Sequence, residues 1–484
     1  MNETTNQTQR CPGQQAKTAP TAFARPGKKC RAAVNLFACF GLLAGVGALS
    51  FLLPRQTVSL LERRTLAEPP KLSASGLLSG SYTRGVDEYY ADHFPARDFL
   101  VGFARSLDDL RGFRPGAVKL YEQQAAEEQS APEPAQPPAT SQEPGQQTPE
   151  PGPEPAPPPE EETQGAHYTG GTFVYKDTAF TLFGGNKKVA AYYAGVLNGY
   201  RDKLGEDVAV YNLVTPTSAE FGLPGRYQNL TGNQKENIDY IYSLLAPGIT
   251  PVDAYGAIQA HCGEYLYFRT DHHWTGLGAY YAYTAFCQAA GLTPLPLSEM
   301  ETRSREGFLG TLYSQTQDSL LAQNPDRVDY YVLPTGYTAE IFHKDQPYYP
   351  TPLNTLWGEY ALPVNSYSIF LHGDWPLMHI NTQHKNGRRI VVVKESFGNA
   401  FVPFLISHFE DVYVVDQRYF QTSLLELIEQ KQVTDLLFLN NIFAANTQYH
   451  AQCIGSLAHQ VWTPPPPEEE DLQQPDEEPE DDED

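Results

Sequence analysis

Cysteine offers this chain little chemistry. The six residues, at 11, 30, 39, 262, 287 and 453, include no CxxC pair and no metal-ligand spacing. There is no HExxH, no Cys or Glu cluster beside the histidines and no repeat of solenoid period. Zinc-protease, zinc-finger and repeat architectures therefore find no support. Basic residues are missing from two stretches: residues 122–162 hold 10 acids and residues 468–484 hold 12, with no Lys or Arg in either. The 484-residue chain carries a net charge of −24, and setting those 22 charges aside leaves −2. The acidity belongs to solvated segments, and the near-neutral remainder argues against a nucleic-acid partner. Large apolar residues are almost absent from residues 122–165, which are rich in Pro, Glu and Gln. Such a stretch cannot bury enough surface to offset its ordering entropy, so it is expected to be a disordered surface insertion. Residues 463–484 are expected to be a disordered acidic tail.

Charge is also absent from residues 34–53, twenty residues in which only Asn35 is strongly polar. That length crosses a bilayer. Ahead of it Arg10, Lys17, Arg25, Lys28, Lys29 and Arg31 stand against a single Glu3. This excess predicts a cytoplasmic arm at 1–33, a single-pass signal-anchor at 34–53 and an extracytoplasmic main domain. Ala48-Leu49-Ser50 offers a cleaved signal peptide as the competing reading. Outside the cell Cys262 and Cys287 could form a disulfide, and two buried free thiols fit equally well.

Beyond the anchor, residues 54–121 read as the first part of the extracytoplasmic domain and 166–462 as its α/β body. Within 54–121, Asp92-His93-Phe94-Pro95-Ala96-Arg97 reads as a helix end with Arg97 paired to an acid, in preference to a second histidine site. In the body a hairpin is expected near Phe173 to Phe183. Helices are expected over 189–204, 235–245, 278–290, 400–407 and 423–431, and buried strands over 208–214, 390–393, 412–415 and 435–439. Strands alternating with helices imply a parallel sheet covered on both faces. The rhythm stops at 292–387, a segment rich in Tyr, Thr, Pro and Asp with strand-like pieces at 328–333 and 366–372. It reads as a strand and loop insertion near the site, as a lid or a substrate-shaping subdomain. Its aromatics Tyr330, Tyr331, Tyr348, Tyr349, Trp357, Tyr360 and Trp375 could stack on sugar rings, although core packing suits most of them better.

Two stretches carry the chemistry. Tyr265 to Phe268 reads as the end of a strand, Thr275 as an N-cap, and Arg269-Thr270-Asp271-His272-His273-Trp274 as the junction between them. In an extended backbone Asp271 and His273 share a face and His272 points away. A carboxylate beside an imidazole is half of a nucleophilic triad. The other half is expected on a strand-turn-helix, and Ile390 to Val393 followed by Lys394-Glu395-Ser396-Phe397-Gly398-Asn399 supplies one, without the glycines that usually flank a nucleophile elbow. Backbone N–H groups at Ser396 and Gly398, with the Asn399 side chain, are the candidate oxyanion donors, and Asn440 or Asn441 are further candidates. Arg269, Arg418 and Thr217 are candidate substrate contacts near strand ends, although either arginine could equally pair with a sheet carboxylate. Adjacent histidines raise the question of metal, but neighbours in an extended segment diverge, so no metal and no cofactor are expected. His272 reads as a packing residue and Trp274 as a pocket wall.

These stretches resemble the signatures of the bacterial DHHW protein family. Leu61-Glu62-Arg63-Arg64-Thr65-Leu66-Ala67, Tyr90 to Asp98, Val214 to Glu220 and Val414 to Tyr419 match in order as well. One departure is Glu395, where the pattern has Asp before the serine. That family resembles the SGNH-like O-acetyltransferase domains of alginate-modifying enzymes. The resemblance implies a three-layer α/β/α, flavodoxin-like SGNH-hydrolase-like domain, with Asp271, His273 and Ser396 as the triad. It also implies transfer or removal of an acyl group, most simply acetyl, on a cell-envelope polysaccharide at the bacterial cytoplasmic membrane. The acyl donor would come from a membrane partner protein or another source. The alternatives are a non-catalytic surface protein that keeps the fold for glycan binding or envelope assembly, and a metal-dependent hydrolase.

Overall fold

Short aliphatic runs separated by amphipathic stretches build a mixed α/β protein around one large mixed sheet. The computed structural model describes residues 171–462 without a break, together with 64–72, 80–95, 118–122 and a few scattered positions before residue 101. The expected membrane span at 34–53 lies almost wholly outside these residues, and so do the acidic stretches at 123–165 and 463–484. Among the described residues no helix is long and apolar enough to cross a membrane. The chain forms two units, residues 1–59 with 65–100, and residues 60–64 with 101–484.

In the first unit the helix Ser81–Asp92 ends where the sequence predicts. Its buried Asp92 accepts the Ala67 N–H at 2.8 Å and lies 4.0 Å from the Arg97 guanidinium. His93 Nδ1 donates to the Tyr89 carbonyl at 2.9 Å. Both side chains thus have local partners, in keeping with a helix end.

The second unit opens with β1 (Val118–Glu122), β2 (Gly171–Tyr175) and β3 (Thr178–Thr181), an antiparallel three-stranded sheet. Glu122 lies opposite Gly171, so the two ends of the acidic segment meet in one ladder. Then follow α1 (Lys187–Arg201), β4 (Ala209–Thr215), α2 (Gln234–Ser243), β5 (Ile249–Pro251) and α3 (Gly276–Ala289). Asn186, Asn233 and Thr275 start the three helices by accepting backbone N–H groups of their first turns. The inserted segment contributes β6 (Glu301–Phe308), α4 (Thr311–Thr316), β7 (Asp326–Val332), β8 (Tyr337–Phe342), β9 (Pro350–Leu353) and β10 (Leu377–Thr382). The chain closes with β11 (Arg389–Lys394), α5 (Gly398–Phe401), β12 (Asp411–Asp416), α6 (Leu424–Gln430), β13 (Asp435–Asn441) and α7 (Gln448–Ser456).

The eight-stranded sheet runs β9-β8-β10-β12-β11-β13-β4-β5. From β12 to β5 every pairing is parallel, while β10, β8 and β9 are added antiparallel. The expected all-parallel sheet is thus corrected. Three strands of the insertion complete the sheet edge, and β6 with β7 forms a separate hairpin. The strand-like piece at 366–372 is a 3₁₀ segment, Pro363–Ile369, opened by a proline that lacks the N–H a ladder needs. Of the insertion's aromatics, Tyr330, Tyr331 and Trp357 are buried, whereas Tyr348, Tyr349 and Tyr360 are exposed.

Alternation along β11 explains why the sheet is covered on both faces. Ile390 and Val392 enter one core with Ala279, Ala282 and Phe286 of α3. Val391 and Val393 enter the other, with Tyr193 and Leu197 of α1, Leu424 of α6 and Ile454 of α7. Each fully buried aliphatic side chain contributes on the order of 1.5–3 kcal/mol. The carboxyl ends of β11, β13 and β4 then present residues 395–399, 440–441 and 216–218 together.

Candidate active site

Asp271 and His273 meet Ser396, which lies 123 residues beyond His273. His273 Nδ1 donates to Asp271 Oδ1 at 2.6 Å, and the Ser396 hydroxyl donates to His273 Nε2 at 2.8 Å. The carboxylate beside Nδ1 fixes the tautomer that leaves Nε2 as the acceptor. Asp271 is fully buried, and each of its oxygens is satisfied: Oδ1 also accepts the His273 N–H at 3.0 Å, and Oδ2 accepts the Thr311 N–H and hydroxyl at 2.7 and 2.8 Å.

The loop that carries Asp271 is not the strand end the sequence suggests. Residues 269–273 are bends closed by a single bridge between Tyr267 and Trp274, with the Phe268 N–H donating to the His273 carbonyl at 3.2 Å. His272 therefore does not point away. Its ring centroid is 3.9 Å from that of His273. Asp326, at the start of β7, holds this loop from outside the motif. It accepts the Arg269 and Thr270 N–H groups at 3.0 and 2.7 Å, and the Thr270 hydroxyl at 2.6 Å. Gly310 passes so close that a Cβ there would lie 2.3 Å from the Asp271 Cβ.

Tyr367 was not foreseen in the sequence. Its ring stacks on His273 with centroids 3.8 Å apart and planes 10° from parallel, and its hydroxyl donates to the Ser396 carbonyl at 3.0 Å. Burial raises its hydroxyl pKa well above the usual tyrosine value, so it stays protonated and remains a donor. Thr311, Asp326 and Tyr367 all belong to the insertion, which supports the site from behind. Only their position after folding marks them, because Thr, Asp and Tyr are common in that segment.

Glu395 replaces the expected Asp and is buried. Its Oε2 accepts the Phe397 N–H at 3.0 Å and lies 3.3 Å from Ser396 Oγ, and its Oε1 accepts the Asn441 N–H at 2.9 Å. Burial raises its pKa, against the pull of those two N–H groups, Arg418 and His273.

Several candidate contacts are engaged elsewhere. Gly398 N–H donates to the Glu395 carbonyl at 2.9 Å, and Asn399 N–H to the Ser396 carbonyl at 3.1 Å. The Asn399 amide donates to Asp374 at 2.8 Å and is buried. The expected oxyanion donors, the Gly398 N–H and the Asn399 side chain, are thus each engaged by a protein acceptor in this structure. Gly398 has a steric role, since a Cβ there would lie 2.6 Å from the Lys394 Cβ. Asn440 donates to Gln417 at 3.0 Å and accepts the Tyr193 hydroxyl at 3.0 Å. Arg269 pairs with Asp177 and Asp326 at 3.2 and 3.3 Å, and Arg418 with Asp374 and Asp416 at 2.8 and 2.7 Å. Each guanidinium therefore lies between two carboxylates. Trp274 is fully buried, its indole N–H donating to the Phe397 carbonyl at 2.9 Å, and so is no pocket wall. Thr217 is buried against Gln234 and lines a cleft of about 470 Å³ with His272, Thr311, Phe397 and Asn441.

Asp271, His272 and His273 each place a ligand-type atom within 4.8 Å of the others. A metal ion there would have to displace a partner from His273, whose two ring nitrogens are taken by Asp271 and Ser396. Cys262 and Cys287 are free thiols, one exposed and one buried.

A mixed-sheet α/β protein whose sheet ends bring a serine, a histidine and an aspartate into hydrogen-bonded register is the class that fold and site define. The chain belongs to the DHHW protein family, whose model matches residues 160–415. A DHHW family protein from Eubacterium siraeum is similar at 35% identity and a TM-score of 0.56, over 60% of this chain and 96% of that one. Bacillus cereus PatB1 is similar at 19% identity and TM-score 0.49, over 58% and 98%. The O-acetyltransferase domain of Pseudomonas putida AlgJ is similar at 14% and 0.35, over 59% and 99%. Comparison with curated proteins finds no match.

Proposed function

We propose that this chain is a membrane-anchored, extracytoplasmic acyltransferase or esterase that acts on O-acyl groups of a cell-envelope glycan through an acyl-serine intermediate. One observation carries the reading: His273 bridges Asp271 and Ser396 with hydrogen bonds of 2.6 and 2.8 Å. Ser396 Oγ attacks the ester carbonyl while His273 Nε2 takes its proton, and Asp271 steadies the imidazolium. His273 returns that proton to the departing alkoxide, which leaves as an alcohol. A sugar hydroxyl or water then attacks the acyl-serine, its proton going to His273 and on to Ser396 Oγ. Transfer and hydrolysis differ only in this second nucleophile. The cores on both faces of the sheet fit an SGNH-hydrolase-like three-layer domain. The apolar span at 34–53 supports anchoring with the N-terminus inside.

The test is labelling of the full chain with a fluorophosphonate serine probe, beside turnover of a simple acetyl ester. Wild type is expected to label and turn over, and Ser396→Ala to lose the label and at least ~10³-fold in rate. A folded wild type that stays silent in both assays rejects the reading. A second reading, a non-catalytic glycan-binding surface protein, draws on the Gly398 and Asn399 amides being used within the turn. It expects Ser396→Ala to leave the biological role intact.

A further inference from the structure

The cleft beside the triad has a composition that constrains its ligand. It measures about 470 Å³, far more than a two-carbon acyl group needs. Four of its lining residues are immediate neighbours of the catalytic candidates. His272 precedes His273, Phe397 follows Ser396, Thr311 binds Asp271, and the Asn441 N–H binds Glu395. The remaining walls come from the β2–β3 hairpin with the turn after it, the end of β4, the segment Gly225–Leu230, α4 and the residues after β13.

Apolar atoms, with Leu182, Phe183, Leu230, Leu312, Phe397 and Phe443 among their sources, make up most of the cleft surface, and uncharged groups of Thr217, Ser218, Gln315 and Asn441 lie among them. Among the described residues no Lys, Arg, Asp or Glu lines the cleft, and His272 is the one titratable residue in its wall. Arg269 and Arg418 are each paired with two carboxylates. An anionic group entering here would give up part of its hydration without meeting a cation from the cleft walls described, a cost that disfavours uronates and dicarboxylic half-esters. An acetyl group, at the other extreme, leaves most of the volume unfilled.

We propose that this cleft receives the acyl chain of the ester, and that the chain is an uncharged alkyl group longer than acetyl. The inference rests on the acyl-serine reading for its connection to chemistry, and its binding component can be measured without turnover. Ser396→Ala full chain is titrated calorimetrically with acetamide, butanamide, hexanamide and the anionic succinamate. Each buried CH₂ contributes ~0.8 kcal/mol, about fourfold in affinity. Hexanamide is expected to bind at least tenfold tighter than acetamide, and succinamate at least tenfold weaker than butanamide. Leu230→Trp and, independently, Leu182→Trp fill partly exposed walls and are expected to erase the chain-length gain. Affinity independent of chain length, or succinamate equal to butanamide, overturns the proposal. On wild type, p-nitrophenyl hexanoate is expected to exceed the acetate ester in kcat/KM. Probe labelling with acetate preferred keeps the acyl-serine reading and rejects this pocket. Chain-length-dependent binding without labelling keeps the pocket and rejects the acyl-serine reading.

Discussion

Glu395 shows how one extra methylene is accommodated beside the nucleophile. Its carboxylate reaches past Ser396 to accept the Phe397 N–H and, from the neighbouring strand end, the Asn441 N–H. It thus ties the turn that carries Ser396 to the end of β13. Glu395→Gln turns an amide hydrogen toward one of those N–H donors and leaves it unpaired, at a cost of about 1–3 kcal/mol. The pH dependence has a definite sign. Burial raises the folded pKa of Glu395, so the native state binds more protons than the unfolded chain above the ordinary glutamate value, about 4.3. Its contribution to stability is full below that pH and is lost as pH rises through the folded value. Urea unfolding of wild type and Glu395→Gln should therefore differ most near pH 4, with the gap narrowing toward neutrality. A gap that widens with pH refutes this account.

At the scale of elements, the carboxyl ends of β11 and β12 are joined by a buried charge cluster. Lys394 Nζ lies 2.7 Å from Asp416 and 3.0 Å from Asp374, and Arg418 contacts the same two carboxylates. Asn399 of α5 adds a hydrogen bond to Asp374, so two strands, the loop before β10 and the helix after Ser396 meet at one point. Burial works against the Asp374 charge, but Lys394 and Arg418 outweigh it and hold its carboxyl well below the usual range. Lys394→Met leaves two carboxylates to one guanidinium, with Asp416 fully buried. The expected loss is about 3–5 kcal/mol, read as a lower denaturation midpoint with unchanged slope. Adding Asp416→Asn should recover part of it, because the two residues share one interaction. Strict additivity of the two substitutions counts against the cluster.

For the whole molecule, two half-buried histidines set the response to acid. His408 Nε2 accepts the Tyr283 hydroxyl at 2.6 Å, and His450 Nδ1 accepts the Gln417 amide at 3.0 Å. Both bonds require a neutral ring, and burial depresses both pKa values to about 4. Between about pH 6.5 and 4 the unfolded chain binds protons that the folded chain refuses, so stability falls as pH falls through that window. Each ring accounts for roughly 2 kcal/mol after discounting for the part solvent reaches. Melting temperature is expected to drop from pH 7 to pH 4.5, and the slope should flatten in His408→Gln. Glu395 acts in the opposite direction over that interval, so the deciding result is the comparison, and an unchanged slope in His408→Gln excludes the mechanism. Asp374 takes no part there, since its depressed pKa keeps it ionised until far lower pH.

Local pattern determined much of this on its own. Alternating aliphatic runs located β4, β11, β12 and β13 to within two residues at each end, and Thr275 marked the start of α3, because burial and capping are recorded in adjacent residues. The order Asp271, His273, Ser396 was legible for the same reason, each lying in a short distinctive stretch. Pairing was not. That β8, β9 and β10 finish the sheet antiparallel depends on pairings between separate segments, and that Asp326 pins the Thr270 loop and Tyr367 stacks on His273 depends on contacts 56 and 94 positions apart. The partners of Arg269 and of the Asn399 side chain, Asp177, Asp326 and Asp374, were decided in the same way. A side chain or amide near a site is available to a ligand only if no nearer partner takes it, and folding chooses those partners.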